Sequence, residues 1–502
     1  MTIGASTLRE RARKYAKLLL KDIAAEPDLP TAIVAGEWLA HYLSSNLCGI
    51  YRLDALEENI VGRLLDINPT HPQATALRPE LHVASQLYPH GGHTQLLKTL
   101  VGHASSAPDI LLTREGGQEE AARILDIDAR RIFQAQGAQV LDRIHNMART
   151  MAGYERIILH IHPEDLPCAL ALRLARKANP GLRVGLFNHA DHSFSVAVGA
   201  ADVVFEISTY GWSLRGARGT VNASTFVGIP IAARGHRQPP PNTREVYALS
   251  AGAAYKYKPT SEPRLPDLLG ELLDKNRNLG LKLIGPSPED AWWQPLRKTH
   301  GDRLTILSHL PRAEYMEQLT GCSLYIDSHP LTGGTAFPEA LLSGLNVVGL
   351  KGGTWGFSYA DLLRASDRDS FLLNCRGILE RQPDILEHQE AIRQQCQSFH
   401  APSAVLDRMN TALANPAALQ SPPQAMLALG LPPLMGETNW EKADRSVYLL
   451  PTRYQSSFSI HQTIAMRHFQ AFGLADRASW RLFIKSKVRR LQAKVRGRSK
   501  RQ

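Results

Sequence analysis

Two stretches of this 502-residue chain alternate short apolar segments with helical segments, and this alternation restricts the fold more than any other feature. The strands predicted in the first stretch are 81–85, 109–113, 156–161, 183–187 and 203–207. Those predicted in the second are 246–250, 281–284, 304–307, 324–327 and 347–350. Strands that alternate with helices predict parallel sheets covered by helices on both faces.

The proline-rich segment 238–242 separates the two stretches and is predicted to be a linker. A chain of this length is too long for one hydrophobic core. We therefore predict an α/β fold with two Rossmann-like lobes and an interlobe cleft, where ligands of such folds bind. The predicted regions are an N-terminal helical region at 1–78, a first lobe at 79–237, a second lobe at 238–400, and a C-terminal helical region with a basic tail at 401–502.

The net charge of +11 comes almost entirely from the C-terminal tail. From Arg481 to Gln502 there are ten Lys or Arg residues and no Asp or Glu, which leaves about +1 for the other 480 residues. This distribution argues against nucleic acid as the partner of the whole protein. Apolar residues recur in the tail at helical spacing, at Trp480, Ile484, Val488, Leu491 and Val495. The tail is predicted to be a basic amphipathic helix on an anionic membrane surface, the alternatives being a solvated tail or an oligomer contact.

The cysteine pattern and the N-terminus both indicate a cytoplasmic protein. The five cysteines form no CxxC pair, which fits a reducing compartment and disfavours a cysteine zinc site. Residues 1–11 lack a secretory pattern, and we find no run of roughly 18 apolar residues that could cross a membrane. We expect the protein to be cytoplasmic and at most peripheral at the inner face of the cytoplasmic membrane.

A glycine-containing turn in the second stretch is the most informative local motif. In segment 326–344 a strand ends, Gly333 and Gly334 follow, and a helix begins near Ala336. Free backbone N–H groups at such a turn suit an anion such as a diphosphate. Thr335 can add a hydroxyl donor, and Glu339 can accept hydrogen bonds from ribose hydroxyls. The alternative is a strand, turn and helix without a ligand.

Segment 327–344 resembles the donor site of the O-GlcNAc transferase family, which includes bacterial adhesin N-glycosyltransferases. Gly333 keeps the family's spacing of six residues from Asp327, Thr335 matches the first family threonine, and Glu339 holds the acidic position. The resemblance implies a two-lobed GT-B fold and a UDP-sugar donor. Metal-independent transfer of a sugar, with no cofactor, is the corresponding expectation.

Further matches and departures complete the candidate donor site. Segment 254–259 resembles the family loop whose lysine contacts the diphosphate, which makes Lys256 the matching residue. Tyr315 stands where the family places a base-stacking histidine. Gly334 replaces a family histidine, and His329 is an additional residue without a family counterpart; we include both among the candidate donor-binding residues.

The loop after the first predicted strand supplies a candidate catalytic base. In two-Rossmann transferases this loop borders the cleft, and many inverting members have a histidine after glycine here, where this chain has His93. A neutral imidazole suits proton removal, and a helix N-terminus would lower the pKa and keep it neutral. His93 as a simple helix cap and His90 as the base are the alternatives.

A second polar cluster, 188–192, follows the fourth predicted strand. Asp191 can orient a catalytic histidine. His189 or His192 can instead bind the donor sugar or the acceptor. Imidazoles and carboxylates in this part of the chain also permit a zinc or iron hydrolase. The candidate ligands for that alternative are His160, His162, Glu164, Asp165, His189, Asp191 and His192.

The sequence therefore predicts a glycosyltransferase that moves a sugar from a UDP-sugar to a protein or lipid-linked glycan. His93 would remove the acceptor proton, with Asp191 and His189 as further catalytic candidates. A nucleotide-sugar 2-epimerase of the same architecture is one alternative. A non-catalytic, membrane-associated scaffold that has kept the fold is another.

Overall fold

The computed structural model describes residues 5–68, 77–88, 91–114, 116–232, 246–260 and 262–432, together with 467, 470 and 471. Three N-terminal helices open the chain: α1 (Ala5–Ala25), α2 (Leu29–Ser45) and α3 (Asp54–Ile67). The Asp28 carboxylate caps α2 by accepting a hydrogen bond from the Thr31 amide at 3.0 Å. The buried Arg173 of the first lobe pairs with Glu57 at 2.8 Å and with Asp54 at 2.7 Å, which ties α3 to that lobe.

The first lobe is a seven-stranded, all-parallel sheet with the strand order β3-β2-β1-β4-β5-β6-β7. Its strands are β1 (Arg78–Ala84), β2 (Asp109–Leu112), β3 (Ile132–Gln134), β4 (Tyr154–His160), β5 (Arg183–Phe187), β6 (Val203–Glu206) and β7 (Ser224–Phe226). Its helices are α4 (Gly92–His103), α5 (Gln118–Leu125), α6 (Val140–Ala152), α7 (Leu166–Ala178), α8 (Thr209–Ser213) and α9 (Arg215–Arg218). Residues 168–175 of α7 are all buried, because this helix lies between the sheet and the N-terminal helices.

The second lobe is a six-stranded parallel sheet with the order β10-β9-β8-β11-β12-β13. Its strands are β8 (Val246–Ala251), β9 (Leu279–Ile284), β10 (Leu304–Leu307), β11 (Leu324–Ile326), β12 (Asn346–Leu350) and β13 (Arg364–Ala365). Its helices are α10 (Leu265–Lys275), α11 (Gln294–His300), α12 (Arg312–Thr320), α13 (Ala336–Leu342) and α14 (Arg368–Leu379). The chain continues into α15 (Pro383–His400), α16 (Pro402–Ala414) and α17 (Gln424–Leu427).

Both sheets reverse their strand order at the same relative place, between β1 and β4 in the first lobe and between β8 and β11 in the second. This is the Rossmann order, and the predicted α/β class with two Rossmann-like lobes is confirmed. The C-terminal helices return to the first lobe, since Arg408 of α16 donates to the Val227 carbonyl at 2.7 Å. The two lobes are thus connected by packing as well as by the chain.

Some predicted features lie outside the described residues. These are the linker at 238–242 and the basic tail at 480–502; the boundaries drawn between regions stay predictions. Within the ranges that the structure describes, no helix is long and apolar enough to cross a membrane.

Candidate active site

The candidate site residues lie in the loops that follow β1, β5, β8 and β11, or on the helices beside those loops, at the carboxyl ends of the strands. In open parallel sheets ligands bind at these ends, near the point where the strand order reverses. The two lobes meet at this edge, through these loops and through those after β6 and β12. A side chain at Gly92 would place its Cβ 3.8 Å from the Thr335 methyl group, and the Thr209 amide donates to the Gly356 carbonyl at 2.9 Å.

The glycine turn of the second lobe is held by a buried carboxylate. Asp327, at the end of β11, accepts the Gly333 amide at 3.1 and 3.0 Å and pairs with Arg364 at 2.8 Å. A Cβ at Gly333 would lie 2.6 Å from the Asp327 oxygen, so the turn requires glycine at this position. At Gly334 a Cβ would have no heavy atom within 4 Å, so this residue borders open space.

Lys256 lies against this turn, where the resemblance placed it. Its Nζ donates to the Thr332 carbonyl at 3.2 Å, and its own carbonyl accepts the Leu331 amide at 3.3 Å. Burial lowers the pKa of Lys256, while the nearby Asp327 carboxylate opposes that shift. An ammonium has three donor hydrogens. This contact therefore leaves the group able to donate to oxygens of an anion at the turn.

Glu339 and Tyr315 share one neighbourhood beside the turn. Both Nη atoms of Arg312 lie 3.3 Å from Glu339 Oε2, an ion pair that the sequence did not reveal. The Tyr315 ring packs against a hydrophobic cluster, and its buried hydroxyl has no hydrogen-bond partner within the described ranges. Burial raises the pKa of Tyr315, with the Glu339 charge adding to that shift.

His329 is 3% exposed, and in the described part of the chain neither of its ring nitrogens has a hydrogen-bond partner. Burial, together with the charge of Arg364, lowers the pKa of His329 to about 4, so the ring is neutral near pH 7. A Cβ at Gly352 would lie 3.1 Å from its Nδ1, which shows how closely the following loop covers the ring.

His93 is the second residue of α4, on the first-lobe side of the cleft. It hydrogen-bonds to the backbone of His160, and its buried Nε2 has no partner among the described residues. Burial and the neighbouring His162 lower the pKa of His93 to about 3. The shift has the predicted direction, but its causes are burial and His162 and not the helix N-terminus. A neutral ring with a free Nε2 is suited to accept a proton.

His189 lies beside His93, with the two ring centroids 3.5 Å apart. Its Nε2 is 3.2 Å from Nδ1 of His160. Burial lowers the pKa of His189 well below its ordinary value, and the neighbouring histidines add to this shift. The structure thus brings together two of the three catalytic candidates.

Asp191 faces a different partner from the one we expected. Its carboxylate accepts a hydrogen bond from Ser208 and lies 3.5 Å from Nδ1 of His192. In the described structure it makes no hydrogen bond to His93 or His189. It borders a small pocket between the lobes, lined by Asp191, His192, Ser208 and Tyr210 of the first lobe and by Gly353, Thr354, Trp355 and Phe357 of the second. His90 lies outside the described residues.

The candidate metal ligands are engaged with other protein groups. Nδ1 of His162 is 2.7 Å from Arg114 Nη1, His160 lies between two other histidines, and Asp165 accepts hydrogen bonds from Ser85 and Thr113. Within the described ranges, no group of three or more His, Cys, Asp or Glu side chains is arranged to hold a metal ion.

Sequence reasoning missed the residue that organises the second-lobe loops, Arg364. It pairs with Asp327 and, through Nε at 2.5 Å, with Asp361. The same Asp361 accepts the amides of residues 356–358 at 2.9, 2.8 and 3.2 Å, and that segment contacts the first lobe. The only local signal is an acidic and a basic residue three positions apart, a pattern that is too common to indicate a site.

Two Rossmann lobes whose switch-point loops face each other across a cleft define the GT-B fold, and this chain has that fold. It is similar to Anabaena HepE in complex with UDP, with a TM-score of 0.51, 14% identity, and coverage of 67% of this chain and 100% of that one. It is also similar to the galactosyltransferase WaaB of the lipopolysaccharide outer core, with a TM-score of 0.48, 14% identity, and coverage of 67% and 99%.

The O-GlcNAc transferase of Thermobaculum terrenum is similar with a TM-score of 0.47, 15% identity, and coverage of 85% of this chain and 86% of that one. The expected GT-B fold is confirmed by the strand order of both lobes and by the similarity to HepE. No family model matches the chain, and no curated protein matches it either.

Proposed function

We propose that this protein is a glycosyltransferase that transfers a sugar from a UDP-sugar without a metal ion. The observation that carries the proposal is the contact of the Lys256 ammonium with the glycine turn, across the cleft from the paired rings of His93 and His189. A cation beside a glycine turn on one side, with a neutral base on the other, suits transfer from a diphosphate leaving group.

The donor side uses charge and hydrogen bonds. Lys256 would donate to the diphosphate and stabilise the negative charge that grows on it as the glycosidic bond breaks. Thr335 would add its hydroxyl, and open space at Gly334 would let the phosphates approach the backbone. Glu339, which is paired with Arg312, would accept hydrogen bonds from the ribose hydroxyls. Tyr315 would lie beside the nucleobase.

The acceptor would be bound and deprotonated by residues of the first lobe. Nε2 of His93 would take the proton from an acceptor hydroxyl or amide while that group attacks the anomeric carbon and the nucleoside diphosphate leaves. We propose a protein side chain or a lipid-linked glycan as the acceptor class.

The test is release of nucleoside diphosphate from UDP-sugars, measured with and without acceptor extracts. A transferase releases UDP faster when its acceptor is present, and the sugar appears on that acceptor. Conversion of the UDP-sugar to an isomer without acceptor would support a 2-epimerase instead. UDP binding without any turnover would support the scaffold.

A further inference from the structure

The outward face of α1, the first N-terminal helix, carries a row of positive charges. Its exposed basic side chains, which we call the α1 basic face, are Arg9, Arg13, Lys14, Lys17 and Lys21. Glu10 is the one exposed acidic side chain in the described part of this helix. Residues three and four positions apart lie on the same side of a helix, so these charges are neighbours in space.

The opposite face of α1 belongs to the protein core. Its buried side chains are Ala12, Tyr15, Ala16, Leu19 and Ile23. The Tyr15 ring contacts Trp38 and Tyr42 of α2, with ring centroids 6.0 and 4.9 Å apart. Because its apolar side is buried in this way, α1 offers a partner its charges and not an apolar surface that could insert into lipid.

The lysines of the α1 basic face repel one another. Lys17 is three residues from Lys14 and four from Lys21, and like charges at these spacings destabilise a helix. In the parts of the chain that the structure describes, none of the three lysines forms an ion pair. Glu10, one turn before Lys14, offsets only part of the repulsion. An external anionic partner would therefore relieve it.

The chain returns to α1 shortly before its basic C-terminal tail. Arg467 Nη2 lies 2.6 Å from Asp22 Oδ1 on α1, and Ala471 packs against the core of the N-terminal helices. The run of ten Lys or Arg residues begins at Arg481. The chain between Ala471 and Arg481 reaches at most about 36 Å, and α1 itself is about 30 Å long. The two basic segments are thus joined to the same region of the molecule.

We propose that the α1 basic face is a docking surface for an anionic phospholipid membrane. Four to eight basic residues on one helix are typical of binding to acidic lipid headgroups, which attract each of them at short range. Binding of nucleic acid needs side chains that stack on bases or read them, and residues 9–25 of α1 expose no aromatic or amide side chain. Docking of this kind is independent of the proposed transferase activity.

Docking through α1 would determine which lobe lies toward the membrane. Helix α7 of the first lobe packs against the N-terminal helices, and Glu37 of α2 pairs with Arg114 of that lobe at 3.3 Å. Arg114 Nη1 lies 2.7 Å from His162, whose ring centroid is 5.9 Å from that of His93. The helices that carry the basic face therefore border the lobe to which the proposed function assigns the acceptor. If that function holds, a lipid-linked acceptor would approach this lobe from the membrane.

The test is sedimentation of the full chain with vesicles of phosphatidylcholine, with and without phosphatidylserine. A variant with Lys14→Gln, Lys17→Gln and Lys21→Gln loses three charges and nearly keeps the helix propensity. Attraction to an acidic membrane changes binding about fivefold for each nearby lysine, so this variant should partition roughly 100-fold more weakly onto the phosphatidylserine vesicles. Pure phosphatidylcholine vesicles should bind the wild type and the variant equally weakly.

The matched control removes three exposed charges from the second lobe. Its substitutions are Arg277→Gln, Lys298→Gln and Arg381→Gln. This control keeps the α1 basic face and should therefore bind phosphatidylserine vesicles like the wild type. Similar thermal unfolding of the three proteins would show that the loss of binding reflects charge and not unfolding. Equal weakening in the control would mean that net charge alone drives binding, and it would overturn the docking surface.

A fluorescent label gives a separate readout of the face itself. All five cysteines are buried, so an environment-sensitive dye would attach to the cysteine introduced by Glu10→Cys. Its emission should shift to the blue with phosphatidylserine vesicles, whereas the same dye attached through Arg277→Cys should not respond. No shift at position 10, wild-type binding by the lysine variant, or equally tight binding to pure phosphatidylcholine vesicles would overturn the docking surface. Loss of single-stranded DNA binding in the lysine variant, with vesicle binding unchanged, would also overturn it and would assign the face to nucleic acid.

Discussion

The Lys256 ammonium lies 3.2 Å from the carbonyl oxygen of Thr332, one residue before the glycine turn that ends the Asp327 loop. These two residues come from the loops after β8 and β11, which flank the switch point of the second lobe. The contact holds the ammonium beside the turn. A diphosphate at the turn would replace a carbonyl partner with charged oxygens, which form stronger hydrogen bonds with an ammonium.

Replacing Lys256 should weaken binding of the nucleotide. Hydrogen bonds to charged groups contribute about 1.5–3 kcal/mol, so Lys256→Ala should raise the Kd for UDP roughly 10- to 100-fold in isothermal titration. Lys258→Ala, two residues on and exposed, is the control and should bind like the wild type. Equal affinity of wild type and Lys256→Ala would remove Lys256 from the site.

Removing the base should affect chemistry and leave donor binding intact. His93→Ala should lower turnover about 10²- to 10⁴-fold, the usual contribution of a general base, with UDP affinity nearly unchanged. Steady-state kinetics and a UDP titration on the same preparation would separate the two effects. A variant with normal turnover would remove His93 as the base; a helix cap is not the alternative, because the N-cap of α4 is Gly91 and no side chain caps this helix.

The pH profile of kcat/KM should not show the fall at acidic pH that protonation of an ordinary histidine base would cause. Because the pKa of His93 lies at about 3, the ring stays neutral as the pH falls from about 8 to about 5. We therefore expect kcat/KM to show no loss from this group over that interval. A decline governed by a group with a pKa of about 6.5 would mean that the base titrates like an unperturbed histidine.

The turn should not tolerate a side chain at Gly333. A Cβ there would approach the Asp327 carboxylate to 2.6 Å, so Gly333→Ala should displace the turn and reduce UDP affinity. Gly321→Ala is a suitable control, since a Cβ at that position meets no heavy atom within 4 Å. Titration of both variants with UDP, after their thermal unfolding has been compared, gives the measurement. Unchanged affinity in Gly333→Ala would contradict the role of the turn.

Replacing Arg364 should lower the free energy of unfolding strongly. It pairs with two carboxylates that are almost fully buried, and breaking such a pair typically costs about 3–5 kcal/mol. Arg364→Met should lower the free energy of unfolding by that amount in urea titration. Arg376→Ala removes an exposed pair with Glu380 and should change it by about 1 kcal/mol or less.

The sequence predicted the central strands of both sheets because each is a local apolar run. It missed β3, β7 and β13, which are two or three residues long and form only through hydrogen bonds to an adjacent strand. Lys256 and the turn at 333–335 could be located because short motifs carry them. The pairing of His82 with His160 could not be predicted, since the two residues are 78 positions apart and meet only through the register of β1 and β4.

The most direct test of the donor site is a crystal structure of the protein with UDP. We predict that diphosphate oxygens lie about 3 Å from Lys256 Nζ and from the Thr335 hydroxyl, with Glu339 at the ribose. A nucleotide bound elsewhere, with Lys256 still donating to the Thr332 carbonyl and no phosphate at the glycine turn, would contradict the account.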